Sequence, residues 1–115
     1  MLTLDALKAY GAKTEEGLAR CMNMEPFYLK IVGMVLSDAN FEALKQAMAA
    51  RDAGALFNAA HALKGATGNA SLTPIYEPAC ALTELLRGRD DIPEDGTCER
   101  LVSEITRQYD RLKAM

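Results

Sequence analysis

Histidine occurs once in the chain, at His61, in the stretch "AHALKGATGN" (60–69). A neutral imidazole has a ring nitrogen with a free lone pair and can act as a nucleophile in its own right, taking up a phosphoryl group. A nearby ammonium can balance the negative charge that such a group brings. Lys64 stands three residues on, where a helix would bring it to the same surface. Gly65 and Gly68 follow, although glycine in a helix interior costs about 1 kcal/mol relative to alanine. Other chemistries fit less well. A single histidine and three scattered cysteines, Cys21, Cys80 and Cys98, do not make a zinc set, so no metal site is expected. No serine or cysteine is tied to His61 by the spacing of a nucleophilic triad. The plain alternative is a solvated histidine on a helix surface.

The element that must carry His61 is a helix over 53–69, capped by Asp52. With each residue turned about 100° from the last, Ala53, Leu56, Ala60, Leu63 and Thr67 fall in a sector of about 80°. That sector is the predicted core face. His61 lies about 120° from its centre, outside the sector. Gly65 and Gly68 fall at nearby angles one and two turns on, and Gly54 lies on the same side two turns before. Phe57, at i−4, is the one apolar neighbour. The pattern predicts an outward imidazole in a patch nearly bare of side chains, open to close approach by a partner.

The rest of the chain is also punctuated as helices. Thr3 is placed to cap "LDALKAY" (4–10), which Gly11 ends. Thr14 is placed to cap a second short helix reaching about Cys21, with Glu15 and Glu16 in its first turn. Pro26 suits the first turn of a third, "PFYLKIVGMVLSD" (26–38). Its apolar residues cover most of the circumference and leave one narrow polar stripe of Lys30, Gly33 and Ser37, a pattern that predicts a central place in the core. Asn40 is placed to cap a fourth helix, "FEALKQAMAAR" (41–51), with Phe41, Leu44 and Met48 on one face. "SLTP" (71–74) reads as a turn or helix start before "IYEPACALTELLR" (75–87). Pro74 and Pro78 predict either a late start or a kink there. "GRDDIPEDG" (88–96) is a charged loop. The last helix carries a stripe of Cys98, Leu101, Ile105, Gln108 and Leu112, with Val102 and Tyr109 beside it. No strand pattern and no internal repeat appears. The expected fold is all-α: an antiparallel up-and-down four-helix bundle with additional short N-terminal helices, a single domain over 1–115.

Composition narrows the function. The 115 residues are half hydrophobic and one quarter charged, with a formal net charge of −3. There is no basic surplus to hold a nucleic-acid backbone or an anionic membrane surface, so neither partner is expected. The N-terminus lacks a basic region followed by an apolar stretch, and no window approaches roughly 18 uncharged apolar residues. With no CxxC and an odd cysteine count, the thiols read as reduced and the protein as cytoplasmic. Without a Gly-rich nucleotide loop, use of ATP is not expected.

"AHALKG" followed by "ATGNASL" resembles the histidine-containing phosphotransfer (HPt) domain of bacterial two-component phosphorelays. Its pattern is His-x-x-Lys-Gly within a helix, then small residues and another glycine, then a leucine-rich helix. "AYGAKTEEGLARCM", "FYLKIVGMVLSDANFEALKQAM" and "ALTELLR" fall where such proteins carry similar segments, so the resemblance spans the chain. It implies that His61 accepts the phosphoryl group and that Lys64 steadies it. It further implies that Gly65 and Gly68 leave room for a partner docking beside Phe57. The implied partners are a response-regulator receiver domain, a hybrid histidine kinase, or both, the receiver bringing the aspartate, the Mg²⁺ and its own lysine. The protein itself is then a phosphorelay intermediate rather than an enzyme, a monomer with no cofactor of its own. The family usually has glycine ten residues after the histidine, where this chain has Ser71. Short ends and a full helix set lead us to expect a free-standing protein.

Two other functions compete with that expectation. One is an HPt-like docking module that binds a receiver or another partner without being phosphorylated. The other is a general helical adaptor whose histidine is incidental. Elsewhere the simpler expectations prevail. The six methionines are expected to fill the core, the acidic loop to be a solvated connection, the last helix's stripe to be bundle core, and the cysteines to be buried and inert.

Overall fold

In the computed structural model, residues 2–115 are described and carry seven helices. Two short ones open the chain, α1 (Leu4–Tyr10) and α2 (Thr14–Arg20). They are followed by α3 (Glu25–Leu36), α4 (Asn40–Ala49), α5 (Ala53–Asn69), α6 (Thr73–Leu86) and α7 (Thr97–Lys113). No strand occurs among the described residues. Helices α4 to α7 form the bundle: each packs on the next in chain order, and α4 closes the ring on α7. The links at 50–52 and 70–72 are too short for a crossover, so the helices they join run antiparallel. The expected up-and-down bundle with short N-terminal helices is the observed architecture. Among the described residues no helix is long and apolar enough to cross a membrane.

Several helix ends follow from local chemistry. Thr3 Oγ1 accepts from the Ala6 N–H at 3.0 Å, and Gly11 ends α1 in the left-handed conformation at φ 111°. Asp52 Oδ1 accepts from the Ala55 N–H at 3.0 Å and starts α5. Two expected caps are corrected. Thr14 is the first residue of α2 rather than its cap; it is buried, and no side-chain cap bond forms at that end. Asn40 is likewise the first residue of α4. Asp38 does the work there, its Oδ1 accepting from the Asn40 N–H at 2.8 Å and the Asn40 amide at 2.9 Å.

Helix α6 begins at Thr73, within the "SLTP" read as a turn or helix start, so the late start drops out; Pro74 sits in the first turn where its missing N–H is no loss. The helix then runs on through Pro78.

The core is built from the bundle's inward leucines and isoleucines, among them Leu44, Leu56, Leu63, Ile75, Leu82, Ile105 and Leu112, all fully buried. Of the expected stripe on α7, Cys98, Ile105, Gln108 and Leu112 lie inside, while Leu101 is half-buried and Val102, read as flanking, is buried in its place. The stripe's one polar member, Gln108, donates to Glu104 Oε1 at 2.9 Å and accepts from Arg111 Nη1 at 2.7 Å. Three tyrosines tie the N-terminal half to the bundle. Tyr10 donates to the Gln108 carbonyl at 3.0 Å, Tyr28 to the Ala70 carbonyl at 2.8 Å, and Tyr109 to the Leu36 carbonyl at 2.8 Å. Burial pushes the Tyr10 phenol up to about 12.

Two expectations about apolar residues fail. Helix α3 is not central. It buries only the strip Tyr28, Val32 and Val35, while Phe27 and Met34 stand exposed, because α3 flanks the bundle and meets it chiefly through α7. The methionines are not all core fillers. Met22, Met24 and Met34 are exposed, and Met48 and Met115 are half-buried against the core. Met1 lies outside the described residues. Cys21 and Cys98 are buried and Cys80 half-buried, all three as free thiols; burial pushes the Cys98 thiol up, away from reactivity. The loop over 88–96 is largely solvated but anchored by buried Ile92.

Candidate functional site

Helix α5 buries Ala53, Leu56, Ala60, Leu63 and Thr67, the face that the 100° rotation predicts, and Ala59 beside it. Its one buried hydroxyl is satisfied within the helix: Thr67 Oγ1 donates to the Leu63 carbonyl at 2.7 Å. His61 is therefore exposed, and Lys64 and Phe57 are half-buried on the flank. The Phe57 ring stacks on the imidazole with centroids 5.8 Å apart and planes 4° from parallel.

Two residues the sequence did not single out complete the surroundings, Glu84 from α6 and Arg87 from its C-terminal end. Glu84 Oε1 lies 3.8 Å from Lys64 Nζ across the α5–α6 contact. Arg87 donates to Glu84 through Nη2 at 3.0 Å and Nε at 3.3 Å. Its guanidinium carbon also lies 5.4 Å from the Phe57 ring centroid, a cation–π contact. The Arg87 hydrogen bond, with help from Lys64 and His61, holds the Glu84 carboxyl below the usual carboxylate range. "TELLR" shows an i,i+3 acid–base pair in the sequence. What the sequence does not show is that this pair faces α5.

A surface hollow of about 480 Å³ opens beside His61. Lys64, Gly65 and Gly68 form part of its wall, with Tyr76 of α6, Arg20 at the end of α2 and Lys13 just before that helix. The two glycines differ. A Cβ at Gly65 would meet nothing within 4 Å, so the surface there is open as expected. A Cβ at Gly68 would lie 2.9 Å from Cε1 of Tyr76 and 3.1 Å from its Cδ1. The space at Gly68 is thus taken by a ring of this same chain, which corrects the expectation that both glycines leave room for a partner.

Ser71, where a glycine would be usual, has φ 56°, the left-handed conformation that glycine adopts most easily. Arg20 compensates. Its Nη1 donates to Ser71 Oγ at 2.6 Å and to the carbonyls of Gly68 at 3.2 Å and Asn69 at 3.4 Å. The Lys13 N–H donates to the Ser71 carbonyl at 2.9 Å. The turn that ends α5 is therefore held by Arg20 of α2 and by the Lys13 N–H just before that helix.

The chain presents a single imidazole outward from a rigid helix, beside an ammonium, a guanidinium and one carboxylate. Searches of curated proteins and of solved structures gave no significant match. The model of the family described as "Hpt domain" matches residues 35–115, from the end of α3 through the whole bundle. Helices α1, α2 and most of α3 lie outside the matched range. Because the match covers more than half of the chain, includes "HALKG" and coincides with the helical bundle, the chain belongs to the Hpt-domain family, whose members serve as histidine phosphotransfer modules in phosphorelays.

Proposed function

We propose that His61 accepts a phosphoryl group from the phosphorylated aspartate of a receiver domain, on a response regulator or a hybrid kinase, and returns it to such an aspartate. The observation that carries this reading is an exposed imidazole with Lys64 at i+3 and an open backbone at Gly65, in a chain of this family. In the forward step the lone-pair nitrogen of the neutral ring bonds to phosphorus. The acyl oxygen–phosphorus bond breaks, and its electron pair leaves with the aspartate carboxylate. The proton on the other ring nitrogen stays in place. Phosphoryl transfer depends mainly on positioning and charge neutralisation. This chain supplies a ring oriented against Phe57 and the ammonium of Lys64, and Gly65 lets the partner's loops approach the helix backbone.

The test is His61→Gln, which keeps a polar side chain of similar reach without a nucleophilic nitrogen. The variant should fold as the parent does, since His61 is off the core face. The parent should take up radiolabel from a phosphorylated receiver that acid removes and base spares, and the variant should take up none. Label on the variant places the acceptor elsewhere. Absence of label on both, with receiver binding retained, makes the chain a docking module that is not phosphorylated.

A further inference from the structure

Glu84 reaches across from α6 and engages two cations next to His61, yet the transfer step above gives it no part. Its Oε1 is 3.8 Å from Lys64 Nζ and 3.0 Å from Arg87 Nη2, and its Oε2 accepts from Arg87 Nε at 3.3 Å. The Lys64 contact is a loose ion pair between side chains 30% and 59% exposed, whereas Arg87 holds the carboxylate at two points. A phosphoryl group on the imidazole would bring up to two negative charges into this same neighbourhood. An ammonium drawn to the phosphoryl group is lost to the carboxylate, and the two anions repel each other.

Taking His61 as the acceptor, we propose that Glu84 is an internal competitor of the phosphoryl group. It holds Lys64 while the imidazole is bare and gives it up when the phosphorus–nitrogen bond forms. The weakness of an exposed pair makes that exchange easy. Arg87 remains on Glu84 throughout, so the carboxylate keeps a partner after Lys64 has left. The effect is to raise the energy of the phosphorylated form relative to the bare one, which keeps the group transferable rather than stored. Glu84 is thus a positioning residue that acts through Lys64.

Glu84→Gln keeps the shape and removes the charge at an exposed helix position, so folding is preserved. Phosphoramidate serves as a small phosphodonor that needs no partner protein, and phosphorus NMR follows the phosphohistidine. In buffered phosphoramidate and ammonia, the ratio of forward to reverse transfer rates gives the phosphorylation equilibrium. Glu84→Gln should raise that equilibrium about two- to fivefold, the range expected when one exposed ion pair no longer has to be broken. In a Lys64→Gln background the same substitution should lose at least half of its effect. An unchanged equilibrium on Glu84→Gln would overturn the proposal. So would an equal gain with and without Lys64, which would mark general charge repulsion instead. Failure of the reading it rests on looks different: the parent takes no label from phosphoramidate, or His61→Gln takes as much as the parent.

Discussion

Gly65 and Gly68 lie three residues apart on one side of α5, and a side chain added at each would meet opposite surroundings. At Gly65 it would project into open space; at Gly68 it would strike the Tyr76 ring. The same contrast separates the two parts of the helix. Around His61 and Gly65 the surface is open, with Phe57, Lys64, Glu84 of α6 and Arg87 at its end standing along one side. Around Gly68 to Ser71 it is closed by Tyr76, by Arg20 from α2 and by the Tyr28 hydroxyl on the Ala70 carbonyl. One half is open, and the other is fastened to the rest of the fold. The proposed acceptor role calls for bare surroundings on a helix that does not move. Closing the far end of α5 supplies the second condition without filling the first.

The largest effect on stability is expected at the closed end. Gly68→Leu has to displace the Tyr76 ring, which costs about 1–3 kcal/mol, offset in part by about 1 kcal/mol of improved helix propensity. Urea denaturation should show a net loss. Unchanged stability would mean that Tyr76 moves freely and that the two glycines are alike.

At the open end the outcome should reverse. Gly65→Leu should leave stability unchanged or raise it by up to about 1 kcal/mol. It should slow transfer from a phosphorylated receiver by about tenfold or more, equivalent to ~1.4 kcal/mol of barrier. Labelling by phosphoramidate, which is small enough to enter without the helix being bare, should stay within a few-fold of the parent. If both donors slow equally, Gly65 acts on the imidazole and not on docking.

The smallest effect is expected at Ser71→Gly. The substitution relieves about 1 kcal/mol of left-handed strain and gives up the Arg20–Oγ hydrogen bond, which is worth about the same. Thermal melts should agree to within about 1 kcal/mol. A clear gain in stability would show that Arg20 does not compensate the serine.

The sequence determined by itself that the chain is helical, that α5 spans 53–69, and that His61 points away from the core. These follow from caps, from 3.6-residue periodicity and from the angle between residues on one helix, all of which are local. Asp52 and the inward row from Ala53 to Thr67 are enough to set them. Only the tertiary structure decided what surrounds the imidazole. Glu84 and Arg87 join it because α6 turns that edge toward α5, and Gly68 is closed because Tyr76 lands on it. Helix α3, apolar nearly all round, still leaves Phe27 and Met34 exposed, because burial depends on what lies opposite a face as well as on the face itself. Periodicity within one helix fixes directions relative to its own axis. How that axis is rotated against its neighbours is set by the packing of all the helices together, and no single segment contains it.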